Sequence, residues 1–405
     1  MNLRLIFLSV LCGILAGVSA ALFLISLEAV TQLRTQHPGL LWGLPLAGLF
    51  IGLMYHHFGK DVAAGNNLIL DEIHQPRQIV PLTMAPLIFV GTILTHLFGG
   101  SAGREGTAVQ MGASLSDQLS RFFKIDADER KTLLTAGAGA GFGAAIGAPW
   151  AGVIFGMEVL RIGGLRFSPW FPCFIASFVG YGTAVVLRAP HSVFTLPEAP
   201  VFAVMTFLWV ALVGVVFGLA ARAFTLSTHF VENNVNRWIR YPPLKPFLGG
   251  VLLLLFFRIE GSDRYAGLGI PFIQEALTAP ALVIEPILKS IFTTVTLATG
   301  FKGGEFVPLV FIGTTLGSAL SAWIPVSVGL LAALGFAAVF GAAANTPLAC
   351  TVMAMEMFGW RIGPYALVAC FVSYWFSGHH GIYKAQRVHR PKHAWLVKVL
   401  RRQRS

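Results

Sequence analysis

Long apolar stretches separated by short polar connections dominate this chain. At roughly 20 residues for each crossing of the hydrocarbon layer, they suggest about ten membrane helices, and several are too short to cross alone. The stretches lie near residues 4–26, 39–55, 82–98, 132–157, 167–187, 201–221, 245–257, 281–299, 306–324, 326–344 and 365–376. No polar stretch is long enough to form a sizeable domain outside the membrane. The pattern predicts an all-α, polytopic membrane protein.

Composition and charge support the same interpretation. Of the 405 residues, 55% are hydrophobic and 12% are charged, which is too apolar for an ordinary soluble domain. The net charge of +11 is concentrated in residues 384–405, which hold eight lysines and arginines and no acidic residue. By the positive-inside rule this basic tail faces the cytoplasm and anionic lipid headgroups. A basic arm that binds nucleic acid is the weaker interpretation, so we expect contacts with membrane lipid and no nucleic-acid partner.

Two segments of the chain resemble each other. Residues 143–158 and residues 341–356 each contain a run of small residues, then a proline, then nine residues to a glutamate, Glu158 or Glu356. Similar composition of glycine- and alanine-rich helices is an alternative explanation, but the ordered match favours a repeat. We expect the two glutamates themselves to be structural.

A glycine-rich charged break precedes each of these segments, at residues 99–106 and 300–305. Matching interrupted segments in two halves are typical of transporters whose substrate binds where broken helices meet. The sequence therefore predicts one membrane domain over residues 1–383, with half-repeats at about 1–190 and 200–383, followed by the cytoplasmic tail at 384–405.

The strongest candidates for chemistry are Glu105 and Glu305, because a carboxylate inside a bilayer is costly. Each lies beside glycines at the predicted start of a helix, where unpaired N–H groups and the helix dipole can bind an anion. A carboxylate can fill such a site, and its protonation would release it and admit an anion. Each glutamate could instead cap a helix that faces a water-filled vestibule. Arg104 and Lys302 precede them, and an alternative role for both is pairing with acidic groups.

No metal or cofactor is expected. Four cysteines are scattered through apolar sequence without metal-ligand spacing. A membrane-embedded enzyme is the alternative of a different class, but the sequence lacks the motifs that a nucleophile with its base, a metal set or paired aspartates would need. We interpret the adjacent His379 and His380 as polar lining.

Residues 103–112, which read GREGTAVQMG, resemble the gating-glutamate motif of the CLC family of chloride channels and proton-coupled anion antiporters. The usual motif has proline where Thr107 stands. Residues 132–141 with 148–152 are similar to the next family segment, and residues 303–308 resemble the second-half Gly-Gly-x-Phe-x-Pro motif. The resemblance runs from the first helix to Tyr383. It implies an inverted repeat of tilted and broken helices, and a homodimer with one pathway in each subunit.

The resemblance also implies roles for individual residues. Glu105 would be the external gating glutamate, which alternately occupies the anion site and carries the proton. Tyr383 matches the central tyrosine hydroxyl, although an interfacial tyrosine is the alternative. Backbone amides would line the pathway, and Lys302 and Val307 are further pathway candidates. The amides in question are those of Arg104, Glu105, Gly106, Glu305 and Phe306.

Departures from the family pattern bear on selectivity. Where typical chloride members read Gly-Ser-Gly-Ile-Pro, this chain has residues 65–69 with Asn66 and Asn67, whose amides can donate to a strongly hydrated anion or cap a helix. The internal proton-transfer glutamate would fall at Val159. These changes resemble the bacterial fluoride/proton antiporter branch, in which threonine is common where Val307 stands.

The predicted function is therefore secondary active anion transport in a bacterial inner membrane, with fluoride exported in exchange for protons. A chloride or nitrate exchanger coupled to protons and a passive anion channel remain alternatives within transport.

Overall fold

The computed structural model describes residues 3–196 and 202–392, and the regular secondary structure within these ranges is almost entirely helical. In chain order the α-helices α1 to α9 span Leu3–Gln36, Leu44–Phe58, Asn66–His74, Met84–Leu97, Glu105–Asp117, Leu119–Phe122, Ala127–Ile146, Pro149–Glu158 and Trp170–Val186. Helices α10 to α17 span Val204–Trp238, Leu244–Glu260, Ile270–Ala276, Ile284–Ala298, Phe306–Leu320, Val328–Ala344, Pro347–Phe358 and Gly363–Phe376. Short 3-10 helices span Pro38–Gly43, Lys60–Val62 and Trp360–Ile362, and the strands β1 and β2 span Arg161–Ile162 and Arg387–Val388.

The helices repeat in order and in length. Each half opens with a long helix, α1 of 34 residues or α10 of 35 residues. A helix of 15 or 17 residues follows, and then a short helix, α3 or α12. From there α4, α5, α7, α8 and α9 correspond to α13, α14, α15, α16 and α17, while the four-residue α6 has no counterpart. The predicted repeat of broken helices is confirmed.

The apolar stretch predicted at 132–157 as one segment is in fact two helices. Helix α7 ends at Ile146, and the next residue, Gly147, has a left-handed backbone with φ of +85° that suits glycine. Pro149 then opens α8, since proline is favoured in the first turn of a helix. The second half is broken in the same way, because Asn345 takes φ of +58° before Pro347 opens α16. The break is therefore encoded by local backbone chemistry within a continuous apolar run.

Two glutamates join the halves reciprocally at these broken helices. Glu356, in α16, accepts hydrogen bonds from the N–H groups of Trp150 and Ala151 in the first turn of α8, at 2.9 and 2.8 Å. Glu158, the last residue of α8, accepts from the first turn of α16, with the Ala349 nitrogen at 2.7 Å. The C-terminal part of α8 thus contacts the first turn of α16, and the C-terminal part of α16 contacts the first turn of α8. The two helices therefore run antiparallel. Both glutamates are structural, as expected.

Small residues allow the helices to approach closely. A Cβ atom added at Gly313 of α14 would collide with the carbonyl oxygen of Gly335 in α15, and one added at Gly335 would collide with the carbonyl oxygen of Gly313. Such backbone contact is how membrane helices gain dispersion energy where lipid provides no hydrophobic driving force.

Three helical segments in the described residues are long and apolar enough to cross a membrane, namely Leu3–Gln36, Pro38–Phe58 and Val204–Trp238. Shorter apolar helices, α14 and α16 among them, begin or end inside the fold. This mixture matches the expectation that several segments are too short to cross alone.

The residues just after the predicted domain end at 383 pack on the helices. Strand β2 pairs in parallel with β1, so a two-residue ladder departs from the all-α prediction. Lys392 is buried, with its Nζ donating to Ser377 Oγ at 2.9 Å and its N–H to His379 Nε2 at 2.9 Å. Residues 384–392 thus extend the packed unit, and residues 393–405 of the predicted tail lie outside the described residues.

Replacing Glu356 by alanine should lower stability, because two N–H groups in the first turn of α8 lose their acceptor. We expect a loss of about 1 to 2 kcal/mol, similar to that of a helix N-cap, measured by thermal unfolding in detergent. Glu28→Ala, which removes an exposed carboxylate that accepts from Gln32 one turn away, is the control. Equal melting temperatures for the two variants would contradict the capping role.

Candidate functional site

The two glycine-rich breaks meet in a short antiparallel bridge at the centre of the fold. Gly103 donates its N–H to the Gly304 carbonyl oxygen at 2.6 Å, and Gly304 donates back to Gly103 at 2.8 Å. Helix α5 begins at Glu105 and α14 follows its N-cap residue Glu305. The unpaired N–H groups of two helix starts therefore come together, which is an arrangement that binds anions without a formal positive charge.

Glycine is required on both sides of this bridge. A Cβ atom at Gly304 would lie 2.7 Å from the Gly106 nitrogen, and one at Gly103 would lie 2.9 Å from the Gly304 carbonyl oxygen. Gly303 has φ of +153° and leaves no room beside Ala102. Any side chain here would separate the two helix starts.

The Glu105 carboxylate lies against its own helix start. Its side chain is enclosed, with the residue 2% exposed. Oε2 accepts the Arg104 N–H at 3.2 Å, and Oε1 lies 3.3 Å from the Arg104 Nε. Arg104 also donates to Ser192 Oγ at 3.2 Å. A negative group thus occupies the N–H groups that an anion would use, and Arg104 pairs with Glu105 itself.

Gly106 marks the point at which the other polar candidates converge. A Cβ atom built on Gly106 would lie 3.3 Å from the Asn66 Nδ2 and 3.9 Å from the Glu305 Oε2. Glu305 is partly exposed, in contrast to the sealed Glu105. Two carboxylates and one amide therefore surround the meeting point of the helix starts.

The two asparagines have different surroundings. Helix α3 starts at Asn66, and its N-cap is Gly65 with φ of +57°, without a capping side-chain hydrogen bond. The amide of Asn66 faces Gly106, and its Oδ1 is buried without a partner. Asn67 Oδ1 accepts the N–H of Ala385 at 3.0 Å. Asn66 is therefore placed to contact an anion, whereas Asn67 fixes the segment that follows Tyr383.

Tyr383 is buried inside the fold. Its segment is held by the Ile382 N–H, which donates to the Ala343 carbonyl oxygen at 2.9 Å. Tyr383 lines the same small cavity as Asn66. Tyr383 thus belongs to the same central group of residues.

Small cavities lie on either side of the centre. One is lined by Arg104, Glu105, Ser192 and Val307 among others. The second is lined by Asn66, Val109, Thr135, Val159 and Tyr383 among others. Val159 and Val307 face these cavities with apolar side chains, so neither offers the hydrogen bond that a glutamate or a threonine would.

The remaining candidates have mainly packing roles. The Phe306 ring packs edge-on against Phe340, with ring centroids 4.6 Å apart, which fixes the start of α14. Thr107 Oγ1 is 2.8 Å from Thr92 Oγ1, so it joins α5 to α4. Lys302 Nζ lies 3.9 Å from the centroid of the Tyr55 ring, and its partly exposed side chain has no carboxylate within ion-pair distance in residues 3–196 and 202–392.

The sequence interpretation missed a buried ionic network that positions α3 against α5 and α7. Arg130 donates from Nε to Asp117 at 2.7 Å and from Nη1 to Glu72 at 3.0 Å. A signal was available, because all three charges lie close to apolar segments and burial of charge requires pairing. Asn66 and Glu105 sit at the opposite ends of the helices that this network holds.

Among the described residues no group of three or more histidine, cysteine, aspartate or glutamate side chains is arranged to hold a metal ion. His379 accepts the Lys392 N–H and so helps to anchor the chain after β2.

Replacing Gly304 by alanine should abolish binding of small anions at the central site, because the added methyl group pushes α5 from α14. Isothermal titration of purified protein with fluoride and with chloride measures this. Gly39→Ala, where an added Cβ meets nothing within 4 Å, is the matched control. Unchanged affinity in a folded Gly304→Ala protein would show that the bridge does not form the site.

Known proteins resemble this chain over most of its length. The family model described as Voltage gated chloride channel matches residues 47–378. A chloride/fluoride channel protein of Pseudomonas syringae pv. tomato is 48% identical over 95% of this chain and 86% of its own length. The H(+)/Cl(-) exchange transporter ClcA of Cronobacter sakazakii is 28% identical, over 88% of this chain and 82% of its own.

Solved structures agree in fold. The crystal structure of a CLC-type fluoride/proton antiporter, 32% identical, superimposes with a TM-score of 0.92 over 95% of this chain and 98% of its own. A slow cyanobacterial Cl-/H+ antiporter, 20% identical, has a TM-score of 0.82 over the whole of both chains. With its broken-helix repeats and its family match across most of its length, this chain belongs to the CLC family, the family of voltage gated chloride channels and the antiporters related to them.

Proposed function

We propose that this protein exports fluoride in exchange for protons across a bacterial inner membrane. The observation that carries the proposal is the position of the Glu105 carboxylate on the Arg104 N–H at the start of α5, directly beside the bridge that joins this helix start to that of α14. A site already filled by the protein's own carboxylate can be emptied by protonation, which links anion binding to proton binding.

The coupling follows from competition for the same donors. As a carboxylate, Glu105 satisfies the helix start and excludes another negative charge from it. As a neutral acid it gives up most of that electrostatic attraction, and a small anion can replace it. The Glu105 side chain then carries a proton while the anion binds the backbone amides. The proton and the anion therefore cross the same site in opposite directions, and no covalent bond to the protein is needed.

Fluoride suits the donors at this site. It is small and strongly hydrated, so removing its water requires close and strong hydrogen-bond donors. The Asn66 amide and the backbone N–H groups at Gly106 and Phe306 supply neutral donors, and a protonated Glu305 would add an O–H. Its partial exposure gives Glu305 access to protons. A 32% identical protein of known structure is described as a fluoride/proton antiporter, which favours the same assignment.

The family offers two alternatives within transport. The relative from Cronobacter sakazakii is named as a proton/chloride exchanger, and the relative from Pseudomonas syringae is named as a channel. The enclosure of Glu105, which is 2% exposed, favours exchange over an open channel because a charged side chain closes the path. An asparagine at position 66 in place of a hydroxyl favours fluoride over chloride.

The proposed site roles are as follows. Glu105 gates the site and carries the proton. Asn66 and Glu305 hold the anion beside Gly106, and Tyr383 closes the inner side. Backbone amides at Arg104, Gly106 and Phe306 stabilise the bound anion. Asn67 holds the segment after Tyr383 in place, and Val307 lines the cavity that Arg104 and Glu105 also line, without a polar contact.

Anion efflux from liposomes loaded with fluoride or chloride tests this function. For the native chain we expect fluoride efflux to exceed chloride efflux and to quicken when the outside is acidified. In Glu105→Gln, which cannot exchange a proton, fluoride efflux should no longer respond to the external pH. Glu28→Gln, at the far end of α1, should behave as native.

Each other outcome has a definite meaning for the proposal. Fast chloride flow that ignores pH would identify a channel. Equal, pH-linked flow of chloride and fluoride would remove the selectivity for fluoride. Native behaviour in Glu105→Gln would contradict the gating role, and the absence of any flow would exclude transport of these anions.

We also propose that two copies associate. Large aromatic side chains on α8, α9 and α17 are half exposed, among them Trp150, Trp170 and Trp375. Aromatic residues are enriched in interfaces because they bury much area at little entropic cost. Native mass spectrometry from mild detergent should give the mass of two chains, and Trp150→Ala combined with Trp375→Ala should shift it to one. A single-chain mass for the native protein would refute the association.

A further inference from the structure

Three charged side chains line the approach to Glu305. Glu232 projects from α10, Lys302 precedes α14, and Lys384 directly follows Tyr383. The Lys384 Nζ lies 2.6 Å from the Glu232 Oε2. Lys302 lies with its Nζ 3.9 Å above the Tyr55 ring. Ala385, next to Lys384, donates its N–H to the Asn67 Oδ1 at 3.0 Å, and the neighbouring Asn66 amide lies with Glu305 beside Gly106. The Glu232–Lys384 pair therefore lies on the same side of the centre as residues 302–305.

Solvent reaches the centre from this side. Lys302, Gly303 and Glu305 are partly exposed, and so is Asn66, whereas Glu105 is enclosed. Lys384 itself is 47% exposed in its side chain. Since the basic residues after 383 are expected on the cytoplasmic side, this opening is the inner mouth of the pathway.

The balance of charge at this mouth favours an anion. When Glu305 carries the proton that the proposed function assigns to it, the charges left at the mouth are two lysines and the Glu232 carboxylate. The lysine that Glu232 does not contact is stabilised by an aromatic face. A narrow opening with an excess of one charge concentrates the opposite ion from solution. The Glu232–Lys384 pair is partly solvated, with side chains 35% and 47% exposed, and such pairs contribute little to folding. An anion can therefore displace the carboxylate at little cost in stability.

We propose that Lys302 and Lys384 form a loading site for a small inorganic anion at the inner mouth, with Glu232 as a built-in competitor. An arriving anion replaces the Glu232 carboxylate beside Lys384, passes Lys302 and reaches the amides around Gly106. The inference rests on the proposed function for the identity of the anion and the direction of its movement. The inner mouth and the centre would then work by the same competition. Glu232 at the mouth and Glu105 at the centre each occupy an anion site until an anion displaces the carboxylate.

Fluoride uptake into inside-out membrane vesicles, whose cytoplasmic face is outermost, tests the loading site. In Lys384→Gln the KM for external fluoride should rise about threefold, as for the loss of one partly exposed charge interaction, with kcat unchanged. Glu232→Gln should lower KM, since the competitor is gone, and Lys384→Arg should retain the native KM.

Salt and a matched pair provide controls. Lys131→Gln breaks an exposed lysine–aspartate pair on α7, with Nζ and Oδ1 at 3.0 Å, and should leave KM unchanged. Raising the external impermeant salt should reduce the effect of Lys384→Gln, because the screening length is about 8 Å at 0.15 M ionic strength. A structural role for Lys384 would instead lower kcat or protein yield and would be insensitive to salt.

The loading site can fail separately from the proposed function. Unchanged KM in both Lys384→Gln and Glu232→Gln, with native fluoride uptake intact, would overturn the loading site alone. If the native protein moves no fluoride, the proposed function fails. Titration calorimetry of fluoride into the purified native and Lys384→Gln proteins then decides, because equal affinities would overturn the loading site and weaker binding in the variant would support it.

Discussion

Everything at the centre of this protein depends on the pairing of Gly103 with Gly304. Two chain segments that are 201 residues apart exchange backbone hydrogen bonds there, and each segment starts a helix directly afterwards. An anion within a membrane must be stabilised strongly enough to lose its water but weakly enough to leave. Amide groups at two helix starts meet that requirement, because they supply partial positive charge without a fixed cation. Close approach of the bare backbone makes this possible and explains the glycines at both breaks.

The surrounding fold holds those two helix starts in register. Glu158 and Glu356 tie α8 to α16 by reciprocal caps, so the halves are joined a second time through the same kind of contact between a carboxylate and a helix start. Glu105 makes that contact at the start of its own helix, α5, and in the proposed mechanism its protonation releases it. Structural and functional glutamates therefore share one physical interaction. They differ in whether an alternative anion can reach the amides.

Much of this organisation could be predicted from the sequence. The two breaks, the helix starts at Glu105 and near Glu305, and the paired proline segments are local signals, which glycine and proline encode directly. The division of 132–157 into two helices was missed because hydropathy does not register a single left-handed glycine. Tertiary contacts were also out of reach. The Arg130 network, the different positions of Asn66 and Asn67, and the pairing of Glu232 with Lys384 join residues far apart in the chain, which periodicity cannot connect.

The most direct test of coupling by competition is whether a fluoride gradient alone can drive protons uphill. Liposomes containing the purified protein would be loaded with fluoride, clamped at zero membrane potential and placed in weakly buffered, fluoride-free solution at the same pH. As fluoride leaves, protons should enter against the gradient that their own movement creates, and the external solution should become alkaline. Fluoride release without any change in external pH would contradict the competition between Glu105 and the anion for one set of amides.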